Sequence, residues 1–227
     1  MIRKLGFILT GFGALLLLWI AVTLWRGDPI TSLYTRYEQH HLAARLSAVD
    51  TKWQSVRTQE SAAAKREKRE AALLADIRRE AVAFGDTLHN GAPIGRIVIG
   101  RIGLSMVVLQ GTTTSDLEKG PGHYDAASGE STELPGMGGV VAIAGHRTTF
   151  LHPFRYINNV KVGDYVTLKM PYGTFEYRVY RHEVVPSTDW KILRRTSFEE
   201  LVLSACHPLY SASHRWVVFA KLAGFTV

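Results

Sequence analysis

Between Leu5 and Trp25 the chain runs 21 residues without a charge, with four consecutive leucines at 15–18. As a helix this run rises about 30 Å, the thickness of a bilayer's hydrocarbon core. Arg3 and Lys4 precede it, and basic residues are retained on the cytoplasmic side. The expectation is therefore a cytoplasmic stub at 1–4, a single-pass transmembrane anchor at 5–25 and everything after Trp25 outside the cell. A cleaved signal peptide has a shorter apolar core and a small-x-small cleavage site. Here Thr23-Leu24-Trp25-Arg26 closes the run, with no Ala-x-Ala beyond it.

Residues 26–91 read as a polar helical segment. No proline follows Pro29 until Pro93, and no glycine lies between Gly27 and Gly85. Leu42, Leu46, Val49, Trp53 and Val56 alternate in steps of four and three, the seam of a heptad. The phase returns at Leu74, Ile77, Ala81 and Phe84, after an interruption at Glu60, Ala63, Glu67 and Glu70. One continuous helix from Leu42 to Phe84 would reach about 65 Å. Two arrangements suit the pattern: a stalk or weak coiled coil, self-associating through 42–84, or a pair of amphipathic helices packed on the following domain.

From Gly91-Ala92-Pro93 onward, helix formers give way to turn residues and β-branched runs. Segments such as 95–99, 104–109, 139–144, 165–169, 175–180, 201–205 and 216–220 read as strands. Short strands separated by Gly, Pro and Asp turns predict an antiparallel barrel or sandwich over residues 92–227, a length that buries its own core.

The formal charge of +7 divides as +2 before the anchor, +2 in the helical segment and +3 in the β domain. No basic stripe forms, so nucleic-acid binding has no support. The run Lys65-Arg66-Glu67-Lys68-Arg69-Glu70 is mixed in sign and suits a solvated helix face. No spacing of His, Asp or Glu calls for a metal, and no Walker loop or GxGxxG supports a nucleotide cofactor. His40 and His41 read as solvated.

One cysteine excludes an internal disulfide or a thiolate zinc cluster. Cys206 stands where the apolar run Leu201–Ala205 stops, just before Pro208. A lone thiol on an exported domain invites oxidation, so an inert position would be better served by Ser or Ala. Thiolate chemistry needs a proton partner. His146 follows the apolar run Ala142-Ile143-Ala144-Gly145, and Arg215 opens the last strand nine residues after Cys206. A guidinium-bearing side chain there supplies fixed charge and several donors for an oxygen that becomes anionic during acyl transfer. Arg147 reads as a brace for the histidine loop, and His207, facing away from Cys206 in a strand, as structural.

Ala144-Gly145-His146-Arg147-Thr148, Cys206-His207-Pro208 and the Ser211-Ala212-x-x-Arg215-x-x-Val218-x-Ala220 run together resemble the sortases, most nearly the class E type. Gly120-Pro121-Gly122-His123-Tyr124 and Ile97–Leu104 are similar to that family as well. The resemblance covers roughly Pro93 to Leu222. It implies an eight-stranded sortase-type barrel, with Cys206 as nucleophile, His146 as acid/base and Arg215 as the oxyanion-stabilising cation. It further implies cleavage of an LPxTG- or LAxTG-like signal between Thr and Gly through a thioacyl intermediate, with transfer to a cell-wall precursor amine and no cofactor. The partners would be secreted proteins bearing a C-terminal sorting signal. His123, Tyr124 and Ala205 are further candidates for the substrate groove. The family's Thr-Leu-x-Thr before the cysteine reads Val202-Leu203-Ser204-Ala205 here, which removes two hydroxyls. Rival readings are an L,D-transpeptidase-like enzyme acting on peptidoglycan stems, whose Ser-His-Gly-Cys run is missing, and a non-catalytic membrane scaffold.

Overall fold

The computed structural model describes residues 2–26, 29–60, 70–125 and 132–227. Eight strands are present: β1 (Pro93–Ile99), β2 (Leu104–Gln110), β3 (Gly122–His123), β4 (Val140–Ala144), β5 (Tyr165–Met170), β6 (Gly173–Pro186), β7 (Glu200–His207) and β8 (His214–Thr226). They close into a barrel in the order β1-β2-β3-β4-β7-β8-β6-β5. The closed barrel thus replaces the sandwich alternative, and its pairing is not wholly antiparallel. β2 with β3 and β4 with β7 run parallel. A parallel pair needs a long crossover, and the chain between β4 and β7 supplies it by forming β5 and β6.

Alternation along the strands fills the interior with side chains such as Ile97, Ile143, Leu168, Phe175, Leu203 and Val218. A second apolar cluster lies on the opposite face of β4, β7 and β8. It contains Val140, Ala142, Val202, Val217 and Phe219, and is covered by Ile192 and Leu193. Burial on both faces explains why β4 and β7 read as unbroken apolar runs rather than alternating ones. Glu199, just before β7, is buried and accepts hydrogen bonds from Gly136 N (3.0 Å), Gly138 N (2.9 Å) and Tyr177 OH (2.6 Å). Burial raises its pKa while these donors oppose the rise. The carboxylate thereby ties the turn that launches β4 to the strand beside it.

Three longer helices precede the barrel: α1 (Ile2–Arg26), α2 (Pro29–Glu60) and α3 (Glu70–Gly85). α1 contains the expected anchor run, and its side chains at 6–22 are all exposed on the isolated chain. The side chains of Leu5 and of residues 23–25 are outside what the structure describes, and among the described residues no helix is long and apolar enough to cross a membrane. The heptad seam lies on the barrel, as the packed arrangement requires, rather than standing away from it as a stalk. Leu42 and Leu46 bury against Val107 and Leu109 of β2. Ile77, Ala81 and Phe84 join the main core, with Val49 and Trp53 packed against them. The Trp53 and Phe84 rings meet edge to face at 5.7 Å. Leu74 remains exposed, while Ala63 and Glu67, and the side chains of Val56, Glu60 and Glu70, lie outside what the structure describes. α2 and α3 bury their apolar stripes where a neighbouring sheet offers apolar surface, which is how most helices in proteins gain stability.

Candidate active site

The end of β7 and the start of β8 pair in register, with Cys206 opposite Arg215. Residues directly opposite in an antiparallel pair share a face of the sheet, with Cβ atoms about 5 Å apart. β4 runs parallel to β7 with Ala144 opposite Ser204, and Gly145 N extends the ladder by donating to Ser204 O at 3.1 Å. Continuing that register for two residues brings His146 level with Cys206. Position 145 leaves no room for a side chain, since a Cβ there would stand 2.7 Å from the Phe154 ring. The loop carrying His146 can therefore turn away from β4 only over a glycine.

These three side chains line one cavity of about 330 Å³, together with Tyr124, Trp190 and Thr113 among others. The cavity lies on the outer face of β4 and β7. One wall is the β6–β7 connection, where Trp190 meets Tyr124 edge to face at 6.3 Å. Tyr124 OH lies 3.1 Å from Ser204 Oγ on the cavity floor. The other wall is the single helical turn α4 (Thr114–Leu117), fixed by a capping box in which Asp116 accepts from Thr113 N at 3.1 Å. That box holds Thr112 and Thr113 at the rim.

His146 is largely desolvated, and its Nε2 is buried without a hydrogen-bond partner. Burial pushes its pKa below the ordinary 6.5, and the field of Glu118 opposes that shift. The ring is thus predominantly neutral at pH 7 and free to take a proton. Arg215 is half-buried and donates from Nη1 to the backbone oxygens of Ala212 and His214, both at 3.0 Å. Among the described residues no carboxylate pairs with it, so its charge stays available to an anion in the groove. Arg147 is buried and braces the site from behind: Nη1 donates to Cys206 O at 3.2 Å and Nη2 to Asn158 Oδ1 at 2.8 Å. His207 sits 3.1 Å from the same Nη1 and packs on Trp216.

Among the candidate substrate residues, Tyr124 lines the cavity. Ala205 borders it while its methyl packs into the barrel interior. Val202 lies in the outer apolar cluster. Both positions where the family pattern has threonine therefore sit in apolar surroundings. His123 does not line the cavity. It is buried, with Gln110 Oε1 at 3.0 Å from Nδ1, and with Glu133 O and Thr132 Oγ1 each at 3.1 Å from Nε2. Burial lowers its pKa to about 4. Protons therefore bind the unfolded chain first, and stability falls as pH drops from about 6.5 to about 4, then levels. The gap of about 2.5 pH units corresponds to about 3–4 kcal/mol at about 1.4 kcal/mol per pH unit. Denaturant midpoints measured across this range are expected to drop, and His123→Gln to flatten the dependence; an equally steep dependence in the variant would place the effect elsewhere.

Thr112, Thr113, Leu117, Trp190 and Ser204 also line the cavity without having been singled out from sequence. The Thr113-x-x-Asp116 spacing was a readable N-terminal cap. Trp190 carried only the signal of an aromatic in a polar turn. Among the described residues no group of three or more His, Cys, Asp or Glu is placed to hold a metal ion.

A closed barrel thus brings a cysteine, a histidine and an arginine, which has no carboxylate partner among the described residues, to one groove, an arrangement suited to a cysteine nucleophile. Residues 97–223 match the Sortase domain, and the chain belongs to the sortase family. Members of that family are cysteine transpeptidases. Sortase D of Bacillus subtilis is 30% identical over 137 residues, covering 59% of this chain and 65% of its own length. Sortase SrtE1 of Streptomyces coelicolor is 28% identical over 113 residues, covering 44% of this chain and 31% of its own. The chain thus spans less than two thirds of either relative. The structure of sortase E from Streptomyces avermitilis superposes with a TM-score of 0.54 at 30% identity, covering 61% of this chain and 93% of that one.

Proposed function

We propose that this chain is a membrane-anchored transpeptidase that cuts an LPxTG- or LAxTG-like sorting signal between Thr and Gly. The observation that carries this is the convergence of Cys206, His146 and Arg215 on one cavity. Cys206 Sγ attacks the threonine carbonyl carbon while its proton passes to the neutral His146 ring. Arg215 faces the oxygen that becomes negative. The carbon–nitrogen bond to glycine then breaks, His146 returns the proton to the leaving amine, and a thioacyl enzyme remains. An amine of a cell-wall precursor attacks that thioester, giving up a proton to His146, and the thiolate leaves and is reprotonated. Tyr124 and Trp190 offer an apolar wall for the residues that precede threonine.

The uncharged run of α1 supports anchoring, with Arg3 and Lys4 inside and the barrel outside. Chain reach adds to this. Thr31 lies five positions after Arg26, at most about 18 Å even for extended chain, and Thr31 Oγ1 accepts from Phe150 N on the His146 loop at 3.2 Å. The groove is therefore held close to the end of α1, where a substrate still tethered to the membrane would present its signal.

The test is turnover of LPxTG- and LAxTG-type peptides with an added amine, set against muropeptide stems, as a function of pH. Turnover of a sorting peptide is expected, with an acid limb below 6.5. His146 serves as base only when neutral, and its lowered pKa keeps it neutral further into acid. Turnover of muropeptides alone would overturn the reading, and a limb above 6.5 would contradict the role given to the buried histidine.

A further inference from the structure

Polar side chains at four-residue spacing on one face of α2 reach into the segments around His146. Besides the Thr31 bond to Phe150 N, Thr35 Oγ1 donates to Glu118 O at 2.8 Å and also lies 3.0 Å from Thr31 O. Gln39 Nε2 donates to Lys119 O at 2.6 Å, and its Oε1 accepts from Val107 N at 2.9 Å. Thr35 is fully buried. A buried hydroxyl is costly unless bonded, so this stripe is a specific joint rather than a solvated face.

The joint ends on the two segments that enclose the histidine. The Phe150 ring lies 5.3 Å from the His146 ring, tilted by 37°. The 117–119 turn carries Leu117 of the cavity wall and Glu118, whose charge acts on His146. None of the described side chains of α2 lines the cavity itself.

We propose that Thr31, Thr35 and Gln39 are positioning residues of the active site, holding His146 through Phe150 and the 117–119 turn in the water-excluded pose in which it exchanges a proton with Cys206. What that exchange serves rests on the transpeptidase reading; the pose itself does not. The charged and titratable groups around His146 are Glu118 on the turn, Cys206 on β7, Arg215 on β8 and Tyr124 across the cavity. Its own loop adds Arg147 and His152, and α2 adds Tyr34 and Glu38 on the side of Glu118. Burial, the largest influence on the ring, weakens if the loop comes loose and water enters. The proton affinity of His146 then rises.

Cys206 is the chain's one cysteine, so alkylation by iodoacetamide reports on it alone. The experiment follows the alkylation rate of the full chain in detergent micelles against pH, by intact mass. The inflection belonging to His146 is identified by its loss in His146→Ala. Thr31→Val keeps shape but removes the acceptor, and is expected to move that inflection upward by about 0.5 pH unit or more. Thr31→Ser should restore it, and Thr35→Val should move it the same way. Thr31 is only half-buried, so its valine variant tests the proposal even if Thr35→Val folds poorly. Superimposable wild-type and Thr31→Val profiles would overturn it, as would a Ser variant displaced as far as Val. A purely structural joint would lower the melting temperature and leave the inflection in place. Alkylation needs no sorting peptide, so failure to turn over peptides is a separate outcome.

Discussion

Cys206→Ala is expected to reduce sorting-peptide turnover to background, a loss of at least about 10⁴-fold. The side chain ends β7 in register with Arg215 and lines the groove. No second thiol exists in the chain to replace it. Water attacking the peptide directly would lack both the nucleophile and the covalent intermediate that divides one hard step into two easier ones. The fold should be untouched. Cys206 is half-buried at a strand end, and its backbone oxygen, which Arg147 holds, remains in the variant. Equal melting temperatures for variant and wild type would confirm that chemistry, not folding, was removed. Retained turnover would remove Cys206 from the mechanism.

Arg215→Ala should lower the rate of acylation by about 10²–10³-fold, the usual loss when one preorganised oxyanion donor is removed. Its Nη1 is fixed by two backbone oxygens of its own turn, which orients the guanidinium before substrate arrives. Lysine keeps the charge but lacks the planar fork needed to accept that orientation, so Arg215→Lys should recover only part of the loss. Single-turnover rates separate the two contributions, because the donor acts on the acylation step more than on peptide binding. An unchanged acylation rate in Arg215→Ala, with weakened binding alone, would make Arg215 a binding residue instead.

The pairing of Cys206 with Arg215 was legible because it is local: a strand, a short connection and a second strand in one hairpin. His146 was legible as a motif, but its meeting with Cys206 was not. It depends on the parallel pairing of β4 with β7 across two intervening strands, and no periodicity in either strand encodes which neighbour it takes. The same nonlocality hid Trp190, which reaches the groove from the β6–β7 connection. His123 read as a groove residue because it sits in a Gly-Pro-Gly loop beside Tyr124. Alternation sent its side chain inward and the tyrosine outward, a period-two effect over a strand of only two residues. Thr31, Thr35 and Gln39 were invisible for a different reason. Polar residues on a helix ordinarily mark its solvated face, and only the position of the barrel loops turns these into bonded contacts. The heptad seam announced a buried face without announcing its partner, which is the barrel.

The most direct test is intact-mass measurement of the full chain after brief exposure to LPxTG- and LAxTG-type peptides, followed by mapping of the modified residue. A mass increase equal to the peptide up to its threonine, located at Cys206 and absent from Cys206→Ala, is the predicted result. An adduct on another residue, an adduct that survives Cys206→Ala, or no adduct while peptide is still cleaved would contradict a cysteine thioacyl mechanism in this groove.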